Sequence, residues 1–411
     1  MSCLVLLLLF VVVGFLSSQF QALVVLPVTR DDETLQFVTT VHLWTPPLPI
    51  KLVVDLGGPF LWVDSTVTCN PISRCSVQCF KAKNFVDDPD GSKICFYKQL
   101  RTGPVGNCIV IAGNSIAESK AKGILSDCDL NLSSNQELND PDFKVQNFIF
   151  STASSSLLTG LAAGTRGMLG LGRSSISLLS QVSNAISSQR KLFMCLSSPK
   201  GFIQLGDADL NEFSQSKIAN LLIYTPMFST HNRAGEYLIK ATSIKISNKE
   251  LAIDFGYTQI STIIPYTKLA SSIFVPFVRS HELAAATMNL TKVSPFSPFK
   301  LCFRDEGTDK TRLGPHVPSI DLVFQSELVR WSFTGSESMV RVSEGIMCLA
   351  FVDGGSAMDG SEISIVLGGH QLVDNLIELD VGRNMVGFSR SLLMKESSCS
   401  DIIMSKGHAL S

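Results

Sequence analysis

The sequence has little charge, and neither sign dominates. Only 17% of its 411 residues are Asp, Glu, Lys or Arg, and the formal net charge is −2 at pH 7. A surface that binds nucleic acid needs a clustered excess of Lys and Arg, so this balance gives no reason to expect a nucleic-acid partner. Apolar residues make up 45% of the chain, enough to bury large cores, and the length predicts two or three domains.

Metal-ligand patterns are also missing. The six histidines are scattered, and no Cys or His spacing is typical of a zinc site. No Ser-His-Asp or Cys-His arrangement stands out as a nucleophilic catalytic set. We therefore expect neither a metal nor any other cofactor.

The chain has no apolar stretch long enough to span a bilayer. The continuous apolar run of residues 3–16 is shorter than the ~18 residues that a membrane-spanning helix needs. Small residues follow it, so we interpret residues 1–22 as a secretory signal peptide cleaved between Ser17 and Ala22. A short membrane anchor is the alternative. We expect the mature protein to be extracellular, in the apoplast or cell wall, with no membrane attachment after cleavage.

Cysteine usage agrees with export. Removal of the leader takes Cys3 with it and leaves ten cysteines. An even count in an exported chain indicates disulfides, here five. Six of the ten lie between Cys69 and Cys128, so we expect a loop-rich, cross-linked segment whose internal pairing the sequence leaves open. Tripeptides that begin at Asn131 and Asn289 are candidate N-glycosylation sites.

One stretch has the pattern of a presented carboxylate. The apolar run of residues 52–54 ends at Asp55, and two glycines, Gly57 and Gly58, follow shortly after. Val and Leu favour a buried strand, and glycine allows the chain to turn sharply. We therefore predict that Asp55 stands at a strand end in a tight loop, where a catalytic carboxylate would be held.

This stretch, VVDLGGPFLWVD, resembles the first active-site loop of pepsin-like aspartic peptidases, with Leu56 and Gly58 in place of two hydroxyl residues. The variant pattern is similar to that of a plant non-peptidase subfamily: extracellular dermal glycoproteins, basic 7S globulins and xylanase-inhibitor-like proteins. The resemblance spans nearly all of residues 23–399. It implies an all-β class, mostly β with a few short helices, in a bilobal pepsin-like fold with two pseudo-symmetric, barrel-like lobes.

A glycine-bearing pattern occurs twice in the chain. Residues 167–172 are an apolar segment interrupted by glycines, and residues 363–369 repeat the apolar-then-glycine order. A side chain at such a glycine would push away the loop above it. The two copies indicate one internal duplication. We divide the mature chain into an N-terminal lobe, residues 23–222, and a C-terminal lobe, residues 223–411, which by resemblance are of xylanase-inhibitor N-terminal and C-terminal type.

The second catalytic carboxylate is missing from its expected position. Aspartic peptidase chemistry requires two carboxylates that share one proton, so that one acts as base and the other as acid. The matching C-terminal stretch, STII, has Ser261 where the resemblance places the second aspartate. No tyrosine occurs between Tyr97 and Tyr224, where an active peptidase would carry its flap tyrosine. We therefore predict a degenerate dyad without peptidase activity, in which Asp55 has a structural role.

The resemblance also implies two disulfides. It pairs Cys195 with Cys399 and Cys302 with Cys348, all four of which lie outside the cysteine-rich segment.

A target-binding surface is implied in the same way. Family members of the inhibitor type insert basic side chains into the clefts of secreted glycoside hydrolases, where two carboxylates about 5 Å apart suit a guanidinium. The first of two family arginines matches Arg312, and the second falls at Glu396, with Lys395 beside it. A glutamate facing an acidic cleft is repulsive, so Lys395 takes the role, the target differs, or inhibition has been lost. For Arg312 the alternative is an ordinary solvated loop residue.

The sequence thus predicts a secreted, monomeric, catalytically inactive protein that inhibits xyloglucanase- or xylanase-type glycoside hydrolases in plant defence. The alternatives are a storage or peptide-binding protein of the basic 7S globulin kind, or an active aspartic endopeptidase. The sequence pI of about 6.3 argues against a basic globulin.

Overall fold

The computed structural model describes residues 24–43, 46–83, 106–132, 143–198, 200–206, 222–230, 233–251, 256–305 and 312–402. The predicted leader, Cys95 and Tyr97 lie outside the described residues.

The first half of the chain is built mainly of strands. In chain order these are β1 (Val24–Arg30), β2 (Phe37–Leu43), β3 (Leu48–Asp55), β4 (Trp62–Asp64), β5 (Asn70–Pro71), β6 (Ile109–Asn114), β7 (Ser119–Leu132), β8 (Phe143–Ala153), β9 (Gly167–Gly170), β10 (Lys191–Cys195) and β11 (Gly201–Leu205). The helical segments among them are α1 (Val77–Lys83), the 3₁₀ turn Ser155–Leu158 and α2 (Leu178–Ala185).

The second half has shorter strands and one long helix. Its strands are β12 (Ile223–Pro226), β13 (Leu238–Ile239), β14 (Ser243–Ile246), β15 (Lys249–Leu251), β16 (Tyr257–Ile260), β17 (Thr267–Leu269), β18 (Lys292–Val293), β19 (Cys302–Arg304), β20 (Ile320–Val323), β21 (Arg330–Phe333), β22 (Met339–Ser343), β23 (Ile346–Leu349), β24 (Phe351–Asp353), β25 (Ile363–Leu367), β26 (Leu376–Asp380) and β27 (Met385–Phe388). Its helical segments are α3 (Ser271–Thr287), α4 (Gly335–Ser338), the 3₁₀ turn Ser356–Met358, α5 (Gly369–Leu372) and the 3₁₀ turn Leu392–Lys395.

One large sheet joins the two halves. Its strand order is β12-β27-β26-β10-β11-β1-β2-β3-β9-β4-β8-β7-β5, with β6 paired to β7. Strand β26 pairs antiparallel with β10, so that Cys195 lies opposite Leu376. The other sheets follow the orders β13-β16-β25-β17-β24, β15-β14-β20-β21 and β18-β19-β23-β22. The predicted lobe boundary, between residues 222 and 223, falls just before β12.

The internal duplication is visible in the strand pairing. In the first half β3 is parallel to β9, β9 is antiparallel to β4, and β4 is parallel to β8. In the second half β16, β25, β17 and β24 repeat the same alternation. Gly170 and Gly368 lie directly against the backbones of Phe60 and Tyr266, which follow Asp55 and Ser261 at the same offset, leaving no room for a side chain at either glycine.

The largest hydrophobic cluster runs through both lobes, and three smaller clusters lie beside it. Val54 and Leu56 of the first lobe and Ile260 and Phe388 of the second belong to one cluster of buried side chains. Strand β2 is buried along almost its whole length, as expected for a strand covered on both faces. The pepsin-like, mostly β fold expected from the sequence is thus the one observed.

Disulfides tie together segments that are distant in sequence. Cys195 pairs with Cys399 across 204 residues, and Cys302 pairs with the directly opposed Cys348 of the neighbouring strand. Within the cysteine-rich segment, whose pairing the sequence left open, the structure has the bonds Cys69–Cys128 and Cys79–Cys108, and Cys75 is also disulfide-bonded.

The two candidate glycosylation sites have different surroundings. Asn131 lies in β7 opposite His42 of β2 and Lys144 of β8, and only 4% of its surface is exposed. Asn289 is exposed just beyond the end of α3. A bulky glycan fits an exposed turn and not a strand interior, so the geometry favours Asn289.

No helix in the described part of the chain is long and apolar enough to cross a membrane. Within the same residues there is no group of three or more His, Cys, Asp or Glu side chains that could hold a metal ion.

Candidate functional site

Asp55 ends β3, as predicted, and its carboxylate lies at the base of the loop. Only 5% of the residue is exposed, and Oδ1 accepts the backbone N–H of Gly57 at 2.9 Å. A Cβ on Gly58 would lie 3.0 Å from Asp55 Oδ2 and 2.9 Å from Gly170 Cα. The loop is therefore too tight for any side chain at residue 58, including the serine of active peptidases.

Burial makes the carboxyl group of Asp55 a weaker acid than an exposed aspartate. Desolvation raises the pKa of Asp55 to about 6, while the amides of Gly57 and Gly58 oppose that rise and the charge of Glu236 adds to it. The carboxylate is therefore half-protonated near the pH of a mildly acidic compartment.

Ser261 occupies the corresponding loop of the second lobe. It follows β16, is 5% exposed, and donates its backbone N–H to the Leu367 carbonyl at 3.0 Å. Its Oγ accepts the N–H of Ile263, two residues on, at 3.4 Å, which repeats the contact of Asp55 with Gly57. A hydroxyl thus lies in the second loop where the first loop has a carboxylate.

Thr262 joins the two loops across the lobe interface. Its hydroxyl donates to the Val54 carbonyl at 2.7 Å and accepts the Leu56 N–H at 3.2 Å. Leu56 follows Asp55 as Thr262 follows Ser261, but it has no hydroxyl and cannot make the equivalent side-chain hydrogen bond to the second lobe. Sequence reasoning missed Thr262. The signal that could have identified it is a hydroxyl residue directly after Ser261, the position equivalent to Asp55.

The side chain of Glu236, in the second lobe, lies beside the Asp55 loop. The Cγ of Glu236 and the Nε2 of Gln259 lie 3.7 and 4.0 Å from the position a Cβ on Gly57 would take. Both carboxylate oxygens of Glu236 contact Nη1 of Arg233, at 3.2 and 2.9 Å. Glu236 is therefore held in an ion pair with Arg233, and no motif in the sequence marks it.

The predicted target-binding residues lie at one surface. Nη1 of Arg312 donates to the backbone carbonyl of Glu396 at 3.1 Å, and both side chains are exposed. The 3₁₀ turn Leu392–Lys395 ends at Glu396, whose φ of +58° reverses the chain. Lys395 is exposed next to it, and Met394 is 46% exposed. Two loops that are far apart in sequence therefore form one continuous surface.

The duplicated loop and the sheet shared by the two lobes define a pepsin-like fold. A solved aspartic proteinase from Irpex lacteus has the same fold, with a TM-score of 0.62, 15% identity, and coverage of 92% of this chain and 100% of that one. At that identity the match shows the fold alone.

The family follows from closer comparisons. Residues 37–207 match the family model "Xylanase inhibitor N-terminal", and residues 236–390 match "Xylanase inhibitor C-terminal". The chain belongs to this xylanase-inhibitor-like family of pepsin-like proteins, the plant subfamily that the sequence resembles.

Relatives cover almost the entire chain. The "Probable aspartic proteinase GIP2" of Nicotiana benthamiana is 36% identical over 92% of this chain and 91% of its own. The crystal structure of edgp has a TM-score of 0.80 and 36% identity, covering 93% of this chain and 98% of that one. Basic 7S globulin from soybean has a TM-score of 0.77 and 30% identity, with coverage of 92% and 98%. These names include a proteinase, an inhibitor family and a globulin, so they do not agree on one function.

Proposed function

We propose that the chain is a catalytically inactive pepsin-like protein that binds and inhibits extracellular glycoside hydrolases of the xyloglucanase or xylanase type in plant defence. The two loops that carry Asp55 and Ser261 lack one of the catalytic carboxylates. A peptidase needs two carboxylates flanking one water, and Ser261 can neither share a proton with Asp55 as a carboxylate does nor act as its acid partner. Ser261 thus stands where the second catalytic aspartate would be.

Glu236 does not replace the missing acid. Its two carboxylate oxygens already contact Nη1 of Arg233, and its Cγ lies on the Gly57 side of the Asp55 loop. A carboxylate whose two oxygens are engaged by a guanidinium does not share a proton with a second carboxylate, as the catalytic pair must. Incubation with denatured haemoglobin at pH 3–5 should release no more peptide than a heat-killed sample. Pepstatin-sensitive cleavage would contradict inactivity.

The observation that carries the binding proposal is the hydrogen bond from Arg312 to the Glu396 carbonyl. It holds a guanidinium at the meeting point of the two loops. Among the described residues Glu396 is its only hydrogen-bond partner, which leaves most of the five guanidinium donors open to another protein. Two catalytic carboxylates about 5 Å apart match that fork in geometry and charge.

The second loop supplies a further cation. Lys395 is exposed beside Glu396, and with Arg312 it gives this surface two positive charges against one negative. The exposed Met394 adds a flexible apolar contact of the kind that adapts to aromatic side chains. Together they suit an acidic cleft lined with aromatic residues.

Inhibition assays test this function directly. Purified protein should inhibit a xyloglucan-specific endoglucanase or a xylanase, with tight binding by calorimetry, whereas reduced and alkylated protein should not. We propose that the protein is secreted to the apoplast after loss of residues 1–22 and acts as a monomer. Failure to bind any such hydrolase would favour a storage or peptide-binding function, which the similarity to soybean basic 7S globulin supports.

A further inference from the structure

We propose that Asp374 is the positioning residue of the target-binding loop, defined here as residues 392–399, which carries Lys395 and Glu396. The contacts of Asp374 stand by themselves, and only its effect on affinity rests on the proposed function.

Asp374 contacts both ends of the target-binding loop. Its backbone carbonyl accepts the Leu392 N–H at 2.8 Å, and its Oδ1 accepts the Cys399 N–H at 3.0 Å. Its own N–H donates to the Leu196 carbonyl at 2.8 Å, and the Ser197 hydroxyl also bonds its carboxylate. One residue thus attaches the first and last amides of the loop to the segment that follows β10.

The disulfide completes this attachment covalently. Cys399 is fully buried and bonded to Cys195 at the end of β10. The disulfide fixes the sulfur of Cys399, whereas Asp374 fixes its amide. Because two atoms of the same residue are held, the direction in which the chain leaves Cys399 toward Glu396 is also set.

The backbone of Asp374 explains why this residue type is used. Its φ is +53°, in the left-handed region that Asp, Asn and Gly tolerate better than other residues. Glycine would adopt the conformation but offers no acceptor for the Cys399 amide. Asparagine satisfies both demands, which makes the two requirements separable by experiment.

The attachment extends to Arg312. The Glu396 carbonyl that accepts its guanidinium lies three residues before Cys399. Movement of the loop would therefore displace Lys395 and remove the acceptor that orients Arg312. Asp374 would then affect both basic groups without touching the target, as residues that support a binding site do from behind it.

Three variants separate the effects. Asp374→Gly keeps the backbone conformation and removes the acceptor, whereas Asp374→Asn keeps both. Asp353→Gly is the matched control, because Asp353 Oδ1 accepts the Gly355 N–H at 2.9 Å in a loop beside α3. Hydrogen exchange of residues 392–399 reports loop order, and calorimetry against a xyloglucan-specific endoglucanase reports affinity.

In Asp374→Gly we expect exchange at the Leu392 and Cys399 amides to accelerate by ~10- to 100-fold and affinity to fall by ~10-fold or more. Asp374→Asn should stay within ~3-fold of wild type in both readouts, since an amide oxygen replaces the carboxylate acceptor. Asp353→Gly should change neither. This pattern would support the proposal.

Unchanged exchange in Asp374→Gly overturns the attachment, and faster exchange with unchanged affinity overturns the positioning role. If Asp374→Gly does not fold, wild-type protein still decides, because the Cys399 amide should exchange at least ~100-fold more slowly than in an unstructured peptide. Lack of that protection overturns the proposal. Absence of wild-type binding to every hydrolase tested would instead overturn the proposed function, leaving exchange to judge the attachment.

Discussion

The hydroxyl of Thr262 lies 2.7 Å from the carbonyl oxygen of Val54, joining the second lobe to the strand that carries Asp55. The same hydroxyl accepts the Leu56 N–H, so one side chain satisfies two buried backbone groups. The two lobes are therefore joined by hydrogen bonds directly beside Asp55.

Thr262→Val should be strongly destabilising. The substitution preserves shape but leaves the Val54 carbonyl and the Leu56 amide unsatisfied in the core, which should cost ~2–4 kcal/mol of unfolding free energy. Thr262→Ser keeps the hydroxyl and should cost less than ~1 kcal/mol by losing a methyl group. Urea unfolding measures both. Thr287→Val on the exposed end of α3 is the control, and an equal loss there would show that the interlobe contact is not special.

Asp55→Asn should stabilise the protein at neutral pH. A carboxyl whose folded pKa is raised to about 6 contributes stability that is complete below the unfolded pKa of 3.8 and is lost as the pH rises through 6. Asparagine can still accept the Gly57 N–H and carries no charge. The unfolding free energy of Asp55→Asn should therefore exceed that of wild type by about 2–3 kcal/mol at pH 7.5, and the difference should be near zero at pH 3.5.

Thermal unfolding at the two pH values measures this difference. Asp359→Asn is the opposed control, because hydrogen bonds from Ser272 lower the pKa of Asp359 and its loss should destabilise at neutral pH. Destabilisation by Asp55→Asn at pH 7.5 would mean that the ionised carboxylate is favourably bound, contrary to its burial.

His281 should make the second lobe sensitive to acid. It is fully buried in α3 between Phe277 and Phe303, and burial lowers its pKa to about 4, with the Pro318 carbonyl opposing. A histidine with a depressed folded pKa contributes stability that is complete above the unfolded pKa of 6.5 and is lost as the pH falls toward 4.

His281→Phe should flatten this dependence. The loss of unfolding free energy between pH 7 and pH 4 should be about 3 kcal/mol smaller than in wild type, because phenylalanine does not bind a proton. Unfolding curves at pH 4, 5, 6 and 7 measure the slope. His316→Phe, at an exposed position, is the control and should leave the slope unchanged. An unchanged slope in His281→Phe would assign the acid sensitivity to other groups.

The residues that sequence reasoning found are those with local signals. Asp55 ends an apolar run and precedes glycines, and Gly170 and Gly368 recur in two similar segments, so pattern alone predicts the strand ends and the duplication. The surface of Arg312 and Glu396 was found through resemblance, since its two loops share no pattern.

The residues that it missed act through contacts between distant segments. Thr262 bonds a strand more than 200 residues away, Glu236 approaches Gly57 from the other lobe, and Asp374 receives an amide from beyond β27. Each is an ordinary polar residue in its local context. Only the folded chain gives it a role, because no period or spacing encodes a partner in another sheet.

Arg312→Ala should weaken binding to a target hydrolase by roughly 2–5 kcal/mol. The substitution would remove the cation that the complex buries against the two catalytic carboxylates of the target. Arg312→Lys keeps the charge but not the bidentate fork and should recover only part of that loss. Glu396→Arg should tighten binding, since it replaces a repulsive carboxylate by a second guanidinium while its backbone carbonyl still accepts Arg312.

Arg279→Ala, on the exposed face of α3, is the matched control and should have no effect. Calorimetry against a xyloglucan-specific endoglucanase at two salt concentrations gives the affinities, and the effect of Arg312→Ala should persist at high salt if the guanidinium is desolvated. A loss below ~0.5 kcal/mol would identify Arg312 as a solvated loop residue. If neither wild type nor Glu396→Arg binds, cleft insertion is wrong for this protein, and storage or peptide binding becomes the better account of an inactive pepsin-like fold.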